Sequence, residues 1–237
     1  DEILFKQPES SHWRDCPICC LPLSDDPKNS STMACCCKVI CDGCNYANAL
    51  REREKKLGHS CPFCRQPAPA SEEEAVQNLM KRVEANDPAA LRYMGIMCHN
   101  EGNYTRAFAY LLKGAEFGDV DSHYRLSLMY HDGRGVEKDV KKEVYHLEEA
   151  AIGGNPYARH NLAIVEGKSG RYERAMKHDI IAANLGHDNS LEHVIEGFKA
   201  GLVSKEDFAA TLRAHQAAVD ATKTAQREEA EAGRRVM

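Results

Sequence analysis

The sequence predicts two architectures in tandem: a small domain held by cysteines, then an all-α helical-repeat solenoid. Three observations predict this. Ten of the eleven cysteines fall between residues 16 and 64, most of them in Cys-x-x-Cys pairs. A proline-rich break follows at Gln66-Pro-Ala-Pro-Ala-Ser71. Beyond it the chain shows helical patterns that repeat every 32–36 residues, with no strand pattern.

The cysteine region reads Cys16-Pro-Ile-Cys19, Cys35-Cys36-Cys37, Cys41-Asp-Gly-Cys44 and Cys61-Pro-Phe-Cys64. Paired thiolates at this spacing suit two tetrahedral zinc ions. A disulfide framework is the competing reading. The odd cysteine total, the tight pairs and the lack of a basic-then-apolar leader count against it. A reducing, intracellular compartment, cytoplasmic or nuclear, is therefore expected. Cys20 breaks the pair spacing and reads as a non-ligand. His12 and His59 read as exposed loop histidines, although either could replace a thiol. Tyr46, Ala49 and Leu50 give a short helix its inner face, and Arg51–Lys56 reads as a solvated run.

The second region begins with Ser71 and Glu74, a capping box opening a helix to about residue 85. The segments starting at Asp87, Asp119, Asn155 and His187 then align at offsets of 32, 36 and 32 residues. Second helices follow in register, with Tyr104-Thr-Arg-Ala107 matching Tyr172-Glu-Arg-Ala175. They close on Gly118, Gly154 and Gly186, residues suited to a left-handed helix cap. One helix pair cannot bury its apolar face alone; stacked pairs can, and they leave a concave surface for partners. From residue 204 a capping helix is expected, with Phe208, Leu212, His215 and Val219 on one side, and Arg227 onward as a solvated tail. The predicted boundaries are an N-terminal tail at 1–12, the cysteine domain at 13–68, linker and lead-in helix at 69–85, repeats at 86–203, and capping helix and tail at 204–237. Separate cores for the two modules are expected.

A net charge of −5 and the lack of a basic stripe argue against nucleic acid, and no apolar run is long enough for membrane insertion. No nucleophile–base pair is legible. His146, His160 and His178 fall on repeat helices and read as packing residues.

Two resemblances follow from these motifs. Leu126-Ser-Leu-Met-Tyr130, Gly133-Arg-Gly135-Val136, Asp139 and Ala150-Ala151…Gly154 resemble the Sel1-like repeat, a relative of the tetratricopeptide (TPR) repeat, with Ser127 and Glu143 departing from the pattern. The cysteine order, and Cys61-Pro-Phe-Cys64-Arg65 above all, resembles a RING finger. That resemblance implies a cross-brace: Cys16, Cys19, Cys41 and Cys44 on one zinc, and Cys61 and Cys64 with two of Cys35, Cys36 and Cys37 on the other. Lys38 stands where most RING fingers carry a histidine ligand, so the second site would be all-cysteine. Related RING–Sel1 proteins carry glycine where this chain has Cys37, which favours Cys35 and Cys36. The resemblance further implies an E3 ubiquitin-protein ligase. Ile18 and Pro62 would meet a ubiquitin-conjugating enzyme, Arg65 would bridge it to ubiquitin, and the repeats would recruit a protein substrate. The alternative is a non-catalytic zinc-finger and repeat adaptor.

Overall fold

The computed structural model describes residues 2–8, 14–24 and 26–235. A short 3-10 turn at Pro27–Asn29 leads into β1 (Ser30–Thr32), which pairs antiparallel with β2 (Val39–Cys41), Ser31 opposite Ile40. Helix α1 (Asp42–Glu54) follows directly, with Cys41 as its N-cap residue.

The rest is helical among the described residues. Helix α2 (Glu72–Glu84) is the lead-in. The pairs α3/α4 (Pro88–Asn100, Tyr104–Glu116), α5/α6 (Val120–Asp132, Val140–Ile152), α7/α8 (Pro156–Lys168, Tyr172–Asn184) and α9/α10 (Asp188–Lys199, Lys205–Ala221) stack in order. Asp87, Asp119 and Asn155 each start the first helix of a pair by accepting a backbone N–H through the side chain. Gly118, Gly154 and Gly186 end the second helices in the left-handed region. Gly135, in the loop 133–139 between α5 and α6, has no room for a side chain, because a Cβ there would lie 2.5 Å from the Tyr104 carbonyl. That close approach seats the loop, and Val136 with it, on the core of the first two pairs.

Three expectations need correction. First, the end of the chain is not a solvated tail. Helix α11 (Ala225–Arg235) packs along α1, with Ala230 buried, Gly43 against Arg227 and Gly233 against the Tyr46 ring. Second, α10 buries His215 as expected but joins it with Thr211 and Ala218 and leaves Leu212 39% exposed. Its inner face is small and polar because it closes on Gly186 and on Asp188, which His215 Nε2 meets at 3.0 Å. Third, the two regions share contacts and core. Cys37 is buried in the cluster of α2 to α5, beside Leu79, Leu91 and Leu111. Leu4, from the opening segment, is buried against Leu147 and Leu162. Arg159, fully buried on α7, donates from Nη1 to the Leu4 carbonyl at 2.6 Å. Phe5 stacks beside His178, ring centroids 4.6 Å apart.

An ion network completes the joint. Arg14 donates to Asp121 at 2.7 Å; Arg92 donates to Asp119 at 2.6 Å and lies 3.0 Å from Asp121. A cleft of about 570 Å³ remains between β1–β2 and the first helices of the repeats, lined by Arg92, Tyr93, Tyr124, Arg125 and Tyr157 among others. The inner face of the solenoid therefore looks onto the cysteine region rather than onto open solvent.

Candidate metal centres

Three loops of the cysteine region share one backbone shape. In loop 16–21, the Cys16 N–H donates to the Leu21 carbonyl and the Cys20 N–H to the Cys16 carbonyl, at 2.9 and 2.8 Å. Loop 61–66 repeats this, with Cys61 donating to Gln66 and Arg65 donating to Cys61. So does loop 33–38, with Met33 donating to Lys38 and Cys37 donating to Met33. The fifth residue of each loop has a positive φ: 56° at Cys20, 53° at Cys37 and 60° at Arg65. That conformation turns the chain sharply, so thiols within the loops converge while the fifth side chain points elsewhere.

The consequence is two groups of four thiols, each within 4.8 Å: Cys16, Cys19, Cys41 and Cys44, and Cys35, Cys36, Cys61 and Cys64. The groups interleave along the chain. Cys20 and Cys37 belong to neither: Cys20 is exposed, and Cys37 is in the helical core. His59 is exposed and its Nδ1 lies 3.4 Å from Glu52; it joins neither group, and His12 lies outside the described residues. Glu52 itself is buried, a correction to the solvated reading of Arg51–Lys56. It accepts from the Ser60 N–H and hydroxyl at 3.0 and 2.7 Å and so ties α1 to the loop that opens at Cys61.

The sulfur spacing suits a metal. A tetrahedral ion with zinc–sulfur bonds of about 2.3 Å sets its sulfurs roughly 3.8 Å apart. Cys19 and Cys41 are 3.8 Å apart, Cys36 and Cys61 3.8 Å, and Cys35 and Cys64 3.4 Å. A disulfide needs about 2.05 Å, and all eleven cysteines are free. The electrostatics agree with this. Burial pushes the Cys35 and Cys44 thiols far above the ordinary range, and neighbouring thiols add to it. Burial also opposes ionisation of Cys16, but N–H groups of Cys19, Cys41 and Ile18 bring it down to about 7. Four clustered thiols cannot all ionise alone; a dication among them removes the obstacle. Both groups could hold a metal ion.

Around them, Arg227 of α11 donates from Nη2 to Cys19 Sγ at 3.6 Å and to the Leu21 carbonyl at 3.4 Å. This contact had no signal in the sequence, since a lone arginine in a charged helix predicts nothing about sulfur. Of the three positions set out for a partner enzyme, Ile18 is 40% exposed, Pro62 is half-buried and Arg65 is exposed. Phe63, beside Pro62, is 41% exposed.

Comparison with known proteins bears on the helical region. The Sel1 repeat family model matches residues 88–119 and 120–155. A 72-residue stretch, 30% of this chain, is 32% identical to DAP3-binding cell death enhancer 1 of Rattus norvegicus, and spans 14% of that protein. Among solved structures, a Sel1 repeat protein from Oxalobacter formigenes superposes with a TM-score of 0.55 at 17% identity, over 73% of this chain and 71% of that one. A protective antigen of uropathogenic Escherichia coli, c5321, described as displaying an SLR fold, gives 0.53 at 21% identity over 63% and 34%. No helix among the described residues is long and apolar enough to cross a membrane. Residues 88–155 thus match two Sel1 repeats, and the helical region has the all-α solenoid fold of solved Sel1-repeat proteins.

Proposed function

We propose that this protein is a zinc-binding RING-type E3 ubiquitin ligase whose Sel1 repeats hold a protein partner. The observation that carries the reading is the pair of interleaved four-thiol groups, each with its sulfurs within 4.8 Å of one another and neighbours as close as 3.4–3.8 Å. In it, Cys16, Cys19, Cys41 and Cys44 hold one zinc ion, and Cys35, Cys36, Cys61 and Cys64 the other. Four thiolates leave no open position, so each ion is structural and activates no water.

The two ions stiffen the loops that present Ile18, Pro62 and Arg65. Ile18 lies inside the first Cys-x-x-Cys turn and Pro62 inside the last. Ile18 and Phe63 are about two-fifths exposed on these turns, and a docked conjugating enzyme would cover them. Arg65 follows the last thiol at a fixed left-handed corner, so its guanidinium projects from a rigid base. Catalysis would be positional. The enzyme-bound ubiquitin thioester is held in a reactive pose for attack by a substrate amine, with no covalent intermediate on this chain. Substrate contacts fall to repeat surfaces left open by the cysteine region.

The test is autoubiquitination with a panel of conjugating enzymes. Wild type should form chains; Ile18→Ala and Arg65→Ala should each lose at least about tenfold in rate while keeping the ions of both four-thiol groups. No chains with any enzyme, from protein carrying both ions, leaves the adaptor reading in its place.

A further inference from the structure

The third and fourth helix pairs contain a group that neither the thiols nor the ligase reading uses. Asp179, on α8, has a side chain only 1% exposed. His160 of α7 brings Nδ1 to 3.1 Å from its Oδ1, and His193 of α9 brings Nδ1 to 3.0 Å from its Oδ2. The three ligand atoms lie within 4.8 Å of one another. The Ser190 hydroxyl sits 3.0 Å from His160 Nδ1, and the His187 ring packs behind, 4.9 Å between centroids.

We propose that His160, Asp179 and His193 form a third metal site, taking a divalent late first-row transition ion such as zinc. Spacing supports it. Metal–nitrogen and metal–oxygen bonds of about 2.0–2.2 Å set adjacent ligand atoms roughly 3.0–3.5 Å apart, the range seen here. Charge supports it as well. A carboxylate withdrawn from water needs a positive partner, and a dication held jointly with two imidazole lone pairs supplies one. The donor set has nitrogen and oxygen and no sulfur, which selects ions of this class over calcium or magnesium. The ligands come from three consecutive helices, so stacking of the repeats builds the site before any ion arrives. His193 is 44% exposed at the side chain, which gives the ion a way in and leaves a coordination position for water or a partner's side chain.

The rival is a hydrogen-bonded histidine–aspartate–histidine cluster with no ion. Full-length protein, treated with a mild chelator until elemental analysis finds no more than the two tightly held cysteine-bound ions and then titrated with Zn²⁺ by calorimetry, separates the two. One further equivalent is expected for wild type and for the control His131→Ala. Binding at least about tenfold weaker is expected for Asp179→Asn and for His193→Ala. His193→Ala changes a half-exposed residue, so it decides the matter even if Asp179→Asn folds poorly. Bound Co²⁺ should show no sulfur-to-metal charge-transfer band. Absence of a further equivalent, or one that survives His193→Ala, or a sulfur band, overturns the proposal. Each result is independent of ubiquitin transfer.

Discussion

Residues 14–66 and residues 86–221 are held together by opposite means. The first region has two three-residue strands, one helix, and a core of Cys16, Ile40, Cys41 and Cys44 with Cys19, Leu23 and Met33 against it. Its ordered loops gather two groups of four thiols, whose ionised forms, on the proposed reading, a cation in each group holds together. The second region has no such need. Leu91, Leu111, Leu126, Leu147 and Leu162 are almost wholly buried, one pair's residues against the next. A fully buried leucine contributes about 1.5–3 kcal/mol, so the repeats carry their own stability. The difference teaches where each region would give way: the first, on the proposed reading, through loss of metal, the second through loss of packing.

The largest expected effect follows from metal removal. Structural zinc contributes on the order of 10 kcal/mol to small domains, more than this core supplies. Chelation with EDTA should unfold residues 14–66 and release α11, while most helical circular dichroism remains. The solenoid's melting temperature should nonetheless fall, because Cys37 and Arg14 leave their places in the helical core and ion network. An unchanged melting temperature would mean that the shared contacts are energetically idle, and complete loss of helix would mean that the repeats cannot stand alone.

Acid should strike the repeats by a separate route. His146 of α6 is buried, stacked on Tyr130, with its Nδ1 3.0 Å from His123 Nδ1. Burial, then His123 and Lys142, hold it down at about 4, against an ordinary 6.5. The folded chain therefore keeps it neutral where the unfolded chain would take up a proton. Stability from this group is complete above pH 6.5 and drains away as pH falls toward 4, by on the order of 3 kcal/mol. Melting temperatures across this window should drop less steeply in His146→Phe than in wild type. Equal slopes would assign the acid sensitivity to other groups.

The smallest effect is expected at the joint. Arg227→Ala removes hydrogen bonds to Cys19 and the Leu21 carbonyl, a change of about 1–3 kcal/mol. It should speed zinc transfer to a chromogenic chelator from one of the two ions only, with the repeat melting transition unmoved. Equal acceleration of both ions would show that α11 braces the whole cysteine region.

Much of this was legible beforehand, for reasons that differ by region. Repeat helices announce themselves because Asp87, Asp119, Asn155 and their closing glycines recur at fixed offsets, a signal set by local backbone rules. The eight thiols that converge are legible from pair spacing plus family likeness. What spacing alone leaves open is Cys37, and its conformation explains why: a φ of 53° is the same corner that Cys20 and Arg65 occupy, a place that glycine fills without strain. The third loop is disguised because Met33 stands where its siblings have cysteine. Docking of α11 on α1 was illegible, since it rests on close approach at Gly43 and Gly233 rather than on apolar periodicity. For α10, apolar periodicity points to Phe208, Leu212, His215 and Val219; His215 is buried, Phe208 and Val219 are half-buried, and Thr211 and Ala218 fill the inner face in place of Leu212.

The seating of α11 has a mechanical consequence. A stack of helix pairs is ordinarily a spring, free to open and tighten along its arc. Here the arc has a string: one stretch of chain runs from its far limb to the cysteine-rich module, which leans in turn on the near limb through Arg14 and Cys37. A body that bends the bow must also pull on the string, so curvature and grip on the first loop change together or not at all.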